Sequence, residues 1–461
     1  MAPNKHFLLV RHLVTQSASR AWLDLPLSLR SRHQIKNFLF RNLPFIFRRF
    51  KSYQNWQEDS APFDSTSPNN PHYVFIDHDG DSKIPLGDPA HRIVVVSHDA
   101  RAHGAEFLAL GMVKTLKQEL NLNVEAVLLG GGRLTSEFAS LAPVHVFNEF
   151  EARMADFKKL AQSLAQRGFT KAIVNTTASG RIVPVFRDAG IESVCLVHEL
   201  PGIIRSYRLE TQARQIASSA SAVVFPARIV ADGFAQFAQV DTAKQVIRPQ
   251  GLYRKNKWRM AKDAARAELR KQLGMPPDTK IVLAVGFADF RKGADLFVDC
   301  ATKILMDRSD IDFVWVGHSD PKMQNIIEGK LMNSPFRDRI HFVGYVPDTA
   351  LFHAGSDVYA LTSREDPFPN VVLESFDVGV PVVAFASTGG AANLVEEVGG
   401  IVVPSLDAEE LSSAICRLFD TPDLHAALSK AVQDKVDQNF SFREYLTALC
   451  DMLGAKIPKV A

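Results

Sequence analysis

Three short stretches carry the residues whose types and spacing could do chemistry. The first, TSREDPFPNVVLES over residues 362–375, sets Glu365 and Asp366 just ahead of an apolar run that reads as a helix start and contains Glu374. Ionised carboxylates accept hydrogen bonds and donate none, so they suit hydroxyl groups. The second, FADFRKGADLF, puts Arg291 and Lys292 before Gly293 and another helical run, and the third, ASTGGAANLVEEV, puts Gly389 and Gly390 before a third. Cations and glycines at a helix start suit an anion, because unpaired N–H groups and the helix dipole favour negative charge there and glycine lets the backbone come close. Each stretch alone is ordinary loop chemistry. Together they predict a pocket for a diphosphate, with the N–H groups of Asn370 and Val371 turned outward. Glu374 is then placed for a diol such as a ribose, and Glu365 or Asp366 faces the other end of the ligand.

Such loops act together only if one sheet carries them, and the pattern supplies that sheet. Short β-branched runs (RIVVVS, VEAVLLG, KAIVNTT, SVCLVHE, AVVFPA) alternate with stretches of helical periodicity such as GAEFLALGMVKTLKQEL. This is the signature of a parallel sheet covered on both faces. A polar, basic stretch intervenes near Gly251, and the alternation restarts with KIVLAVGFA, DFVWVG, RIHFVGYV, DVYALTS, PVVAFAST and GIVVP. The expected fold is α/β, with two doubly wound domains in tandem. Ligands of open parallel sheets bind beyond the carboxyl ends of the strands, where the three stretches fall.

The chain of 461 residues can bury more than one core, and its 53 basic and 51 acidic residues leave no excess of charge that would favour nucleic acid. Four cysteines, Cys195, Cys300, Cys416 and Cys450, lie at no metal-ligand or redox spacing, which suits a reducing compartment. No signal peptide or membrane-spanning run is expected, so a cytoplasmic location follows. Residues 26–57 hold no acidic residue but interleave seven Arg and Lys with aromatic and aliphatic side chains. That composition fits a basic helix packed on the next domain or resting peripherally on anionic lipid. A Ser-, Pro- and Asn-rich linker follows.

Residues 281–404 resemble the donor half of a retaining GT-B glycosyltransferase of family 4, also called group 1. Asp366, seven intervening residues and Glu374 reproduce the acidic pair of that family, and GVPVVAFASTGG continues its pattern. The resemblance implies two Rossmann-like domains facing across a cleft. The boundaries expected are a helical N-terminal extension and linker over 1–72, an acceptor domain over 73–250, a donor domain over 251–440, and a C-terminal helix over 441–461 that packs back on the first domain. It implies that Lys292 and Arg291 bind the donor diphosphate with the N–H groups of Asn370 and Val371. It also implies that Glu374 holds the ribose, and that Asp366 with backbone at Phe368 and Pro369 holds the sugar. The stretch FVGYV, ending at Val346, would lie along the base. In the first domain, Gly104 would allow close approach to the ligand, and His198, beside Glu199, matches a histidine that contacts the donor sugar.

This sequence departs from the family in three places. Phe287 stands where an arginine is common, Glu365 precedes the first acidic position and leaves the sugar contact shared between Glu365 and Asp366, and Asn393 replaces an acidic residue after the glycine pair. The expected activity is metal-independent, retaining hexosyl transfer from a GDP- or UDP-linked sugar to a glycan or lipid-linked acceptor, with no cofactor. Its expected setting is bacterial surface polysaccharide such as lipopolysaccharide. A nucleotide-sugar epimerase and a non-catalytic scaffold share the fold and stay open as alternatives. The Asp-x-Asp run at Asp77–Asp81 precedes the strands and reads as turn chemistry, and LLGGGRL lacks the spacing of a dinucleotide fingerprint.

Overall fold

A computed structural model describes residues 72–78, 88–149, 152–386, 388–398 and 400–458. The basic, aromatic segment before His72 and the end of the Asp-x-Asp run, Asp79 to Asp81, lie outside the described residues. Fourteen strands are described: β1 Tyr73–Ile76, β2 Arg92–Ser97, β3 Asn123–Leu128, β4 Val144–Phe147, β5 Lys171–Asn175, β6 Glu192–Leu196, β7 Ala222–Phe225, β8 Gln245–Ile247, β9 Lys280–Val285, β10 Ile311–Val316, β11 Ile340–Gly344, β12 Val358–Leu361, β13 Val382–Phe385 and β14 Ile401–Val403. They form two sheets, ordered β1-β4-β3-β2-β5-β6-β7-β8 and β11-β10-β9-β12-β13-β14. Every pairing is parallel except β1 with β4. The central strands are buried on both faces, β10 along its whole length, which is why their sequences run apolar instead of alternating.

β1 is a correction to the sequence reading, which started the first sheet at Arg92. Its four residues pair antiparallel with β4, Tyr73 opposite Phe147, at the sheet edge. So short an edge strand carries no βα repeat to announce it.

Among the parallel strands of each sheet the order reverses once, between β2 and β5 and between β9 and β12, and the crevice outside those strand ends is where ligands bind in such folds. The helices that matter for the site are α1 Gly104–Gln118, α2 Pro201–Ser206, α3 Lys262–Leu273, α4 Ala294–Asp307, α5 Asn370–Asp377, α6 Gly390–Glu397, α7 Pro422–Asn439 and α8 Phe442–Met452. Leu108, Met112 and Leu116, spaced four apart on α1, are fully or almost fully buried against the first sheet. Each such side chain contributes about 1.5–3 kcal/mol. On α3, Arg270 is buried yet fully engaged, donating to Thr279 O, Gly355 O and Asp357 Oδ2 at 2.7–2.9 Å. It thereby joins the segment after the linker to the second sheet.

The chain returns at its end. Ser441 caps α8 by accepting from Glu444 N at 3.3 Å, and Phe442, Tyr445, Leu446 and Leu449 pack with Met112 and Leu116 of α1. The linker at Gly251 passes so close to α8 that a Cβ there would lie 2.7 Å from Phe442 Cα. Gln250, 3% exposed, donates to Phe368 O at 2.8 Å and Asn370 Oδ1 at 2.9 Å, so the linker also holds the start of α5. Among the described residues no helix is long and apolar enough to cross a membrane.

Candidate functional site

The loops after β9, β12 and β13 are locked together by their own backbone. Arg364 N donates to Arg291 O at 2.7 Å, Asp366 N to Thr388 O at 2.8 Å and Gly390 N to Pro367 O at 2.8 Å. Two glycines make this contact feasible. Gly293 has φ 69°, and a Cβ there would lie 2.0 Å from Thr362 O; at Gly389 a Cβ would lie 1.4 Å from Asp366 O. Gly389→Ala is therefore expected to force the β12 and β13 loops apart. Overpacking of this kind costs about 1–3 kcal/mol, and nucleotide affinity read by calorimetry should fall at least about tenfold.

Inside this frame Lys292 Nζ is hydrogen-bonded and ion-paired to Asp366 Oδ2, with side-chain exposures of 15% and 5%. Ser363 Oγ donates to the same oxygen at 3.2 Å, and Lys292 N to Asp289 Oδ1 at 2.7 Å. Arg291 Nη1 donates to Glu365 O at 2.9 Å. Arg364 stacks over the exposed Phe290 ring at 3.9 Å and makes a two-pronged pair with Asp295. Phe287, 46% exposed, follows Gly286 at the end of β9. Asn370 and Val371 open α5 behind Pro369, and the first N–H groups of a helix have no intrahelical acceptor. The structure thus brings together Arg291, Lys292, Glu365, Asp366, Phe368, Pro369, Asn370 and Val371. Val346, after β11, packs at the margin of the second core.

Glu374 sits one turn into α5 and is held by two residues that the sequence reading did not single out. Tyr253 OH donates to Oε1 at 3.1 Å, and His353 Nε2 lies 3.2 Å from Oε2, a close contact whose geometry falls short of a hydrogen bond. Burial would raise the Glu374 pKa, but His353 and Tyr253 outweigh it and the carboxyl lies below its ordinary range. No local pattern links the three, which stand far apart in sequence.

Across the cleft, at the ends of β2, β5 and β6, a second polar cluster faces the loops after β9, β12 and β13. His198 is half-buried, its Nε2 is shielded from solvent and has no hydrogen-bond partner, and desolvation lowers its pKa. The neighbouring Glu199 accepts from Thr177 N and Oγ1 and from His198 N, at 2.6–3.1 Å, which fixes the loop. His98 Nε2 lies 2.9 Å from Glu106 Oε1 and its Nδ1 3.2 Å from Thr176 Oγ1. Burial opposes charge on His98, yet the Glu106 hydrogen bond and carboxylate push its pKa up to about 9. Asp99, raised to about 6 by burial, pairs with Arg101 at 3.1 Å. Thr176 adopts φ 70°, a conformation that costs a β-branched residue about 1–3 kcal/mol and tends to mark functional sites. His98, Asp99 and Glu106 place possible metal-ligand atoms within 4.8 Å of one another, but His98 and Arg101 already neutralise those carboxylates. The sequence reading passed over this cluster in favour of Gly104. At Gly104, the first residue of α1, a Cβ would meet no atom within 4 Å. Behind the Phe368 loop a cavity of about 500 Å³ opens beside the linker, lined by Arg228, Arg248, Asn393 and Phe440 among others, and it includes none of Lys292, Asp366 or Glu374.

Two parallel α/β sheets with facing switch points and an interlocked loop cluster define a class of protein, and comparison with known proteins gives it a name. Residues 279–421 match the family described as Glycosyl transferases group 1. The solved structure of HepE from Anabaena in complex with UDP-glucose superposes with a TM-score of 0.67 at 18% identity, over 79% of this chain and 100% of that one. That of WaaG, a glycosyltransferase involved in lipopolysaccharide biosynthesis, superposes at 0.61 and 15% identity, over 78% and 99%. The chain therefore has the GT-B fold of these structures, and its residues 279–421 resemble the group 1 glycosyltransferases. Among curated relatives, the lipopolysaccharide core biosynthesis glycosyltransferase LpsE of Rhizobium meliloti is 25% identical over 187 residues, 41% of this chain and 53% of that protein. Alpha-D-kanosaminyltransferase of Streptomyces kanamyceticus is 29% identical over 174 residues, 36% and 43%. The matched stretch thus spans about half the length of these relatives.

Proposed function

We propose that this protein transfers a hexosyl group from a UDP- or GDP-linked sugar to a glycan or lipid-linked acceptor, with retention of configuration and without a metal. The observation that carries the reading is the Lys292–Asp366 pair inside three interlocked loops, at the start of α5 and beside Glu374. Breaking a glycosidic bond to a diphosphate builds negative charge on the leaving group, and fixed cations and N–H groups aimed at that charge lower the barrier. Lys292 supplies the cation, with the N–H groups of Asn370 and Val371 beside it. Arg291 holds the loop that carries Asp366. Glu374, oriented by Tyr253 and His353, accepts from the ribose, and His198 lies on the far wall near the sugar. The named complex of HepE with UDP-glucose and the lipopolysaccharide relatives support a nucleotide-sugar donor and a role in bacterial surface polysaccharide. The basic, aromatic N-terminal composition supports a cytoplasmic protein resting peripherally on the inner face of the membrane.

The test is calorimetric titration with UDP, GDP, ADP and NAD in chelator, followed by product analysis with the sugar forms of whichever nucleotide binds. Binding of one nucleoside diphosphate names the base. Binding of none leaves the fold and removes the function.

A further inference from the structure

The acidic pair Glu365-Asp366 divides its work. Asp366 turns back onto Lys292 within the donor loops, whereas Glu365 reaches across the cleft, where its Oε1 accepts from Gly202 N of α2 at 3.0 Å. We propose that Glu365 is a positioning residue that sets the His198 loop against the donor loops, and that it is not a ligand of the donor sugar. This rests on the glycosyltransferase reading for its purpose but on geometry for its existence.

Four observations carry it. The backbone of Glu365 is clamped on the donor side, its carbonyl accepting from Arg291 Nη1 at 2.9 Å and its neighbours Arg364 and Asp366 bonded to Arg291 O and Thr388 O. Only the side chain is left to reach outward. On the other side Gly202 follows His198, Glu199, Leu200 and Pro201 directly, and Glu199 anchors that loop to Thr177. Gly202 is the second residue of α2, so its N–H has no intrahelical acceptor and Glu365 is the partner it has. Finally, a Cβ at Gly202 would stand 2.2 Å from Glu365 Oε2, so a larger residue there would push the carboxylate out of this position. A hydrogen bond to a carboxylate is among the stronger ones. Here it spans the two sheets at the place where the donor loops and the His198 loop must keep register.

Hydrogen exchange read by mass spectrometry at the Gly202 amide tests the contact directly on the whole chain. In Glu365→Ala this amide should exchange about tenfold faster, and Glu365→Gln, which keeps an acceptor oxygen, should retain most of the protection. The His198 imidazole signal in an NMR spectrum should shift in Glu365→Ala and return toward the wild-type position in Glu365→Gln, which a general loss of packing would not do. Titrations with UDP against UDP-glucose, and GDP against GDP-mannose, separate the roles. A positioning residue leaves the affinity ratio of the nucleotide and its sugar form within about twofold of wild type, whereas a sugar ligand collapses it. Unchanged Gly202 exchange in Glu365→Ala, or a collapsed ratio, overturns the proposal. If the wild type binds no nucleotide, the glycosyltransferase reading falls, and the exchange and imidazole readouts still decide whether Glu365 registers the two loops.

Discussion

Lys292→Ala is expected to abolish nucleoside diphosphate binding in the calorimeter, with at least a hundredfold loss of affinity, and to destabilise the protein as well. The binding loss follows from removing the cation at the centre of the loop cluster. Arg291 should compensate only in part, because one of its guanidinium N–H groups already donates to the carbonyl of Glu365. The stability loss follows from the partner left behind. Asp366 is 4% exposed, and without Lys292 it keeps only the Ser363 hydroxyl at 3.2 Å. Breaking a buried ion pair by removing one member costs about 3–5 kcal/mol, read as a lower urea midpoint at constant slope.

The double variant Lys292→Ala with Asp366→Asn separates the two effects. Taking away the unpaired charge should restore most of the stability, since neutralising both members of a buried pair is nearly neutral. Binding should stay lost. If the double variant binds as the wild type does, the diphosphate is held elsewhere and the functional reading fails with it.

How far the sequence alone leads can be judged from particular residues. The strand–helix alternation and the loops with Arg291, Lys292, Asp366 and Gly389 were legible because they rest on local signals: apolar period, glycine before a helix, spacing along one segment. β1 was not, because a four-residue antiparallel edge strand is defined by its partner β4 and not by its own pattern. Nor were Tyr253 and His353. A tyrosine in a basic linker and a histidine in ALFHAG read as surface and core, and only the folded chain brings them within 3.1 and 3.2 Å of Glu374. The His98–Glu106 pair was hidden for a different reason. Glu106 lies in the helical run GAEFLALGMVKTLKQEL, but a buried acid on a helix face looks like solvent-facing charge until the histidine opposite it is known. Asp366 next to Glu365 leaves the sugar contact open in the sequence; in the structure Asp366 turns to Lys292 and Glu365 to Gly202, the difference on which the proposal for Glu365 rests.

Glu374→Gln should show its effect as a lost preference for ribose. An amide keeps the size of the carboxyl but removes its charge and one acceptor oxygen, and hydrogen bonds to charged groups are worth about 1.5–3 kcal/mol. Wild type should therefore bind the ribonucleotide about ten- to a hundredfold more tightly than its 2′-deoxy form. The variant should bind the two alike, at the weaker level. Equal preference in both proteins would mean that Glu374 supports Tyr253 and His353 and does not touch the ligand. The stability difference between wild type and variant adds a second reading. Because the folded Glu374 carboxyl lies below its ordinary value of 4.5, its contribution is fully present above that value and is lost as pH falls through the folded one. The gap should be flat above about pH 5.5 and close on acidification. A gap that instead widened in acid would mean the folded pKa is raised, so that burial wins over Tyr253 and His353 and the residue that faces the ribose is a neutral acid.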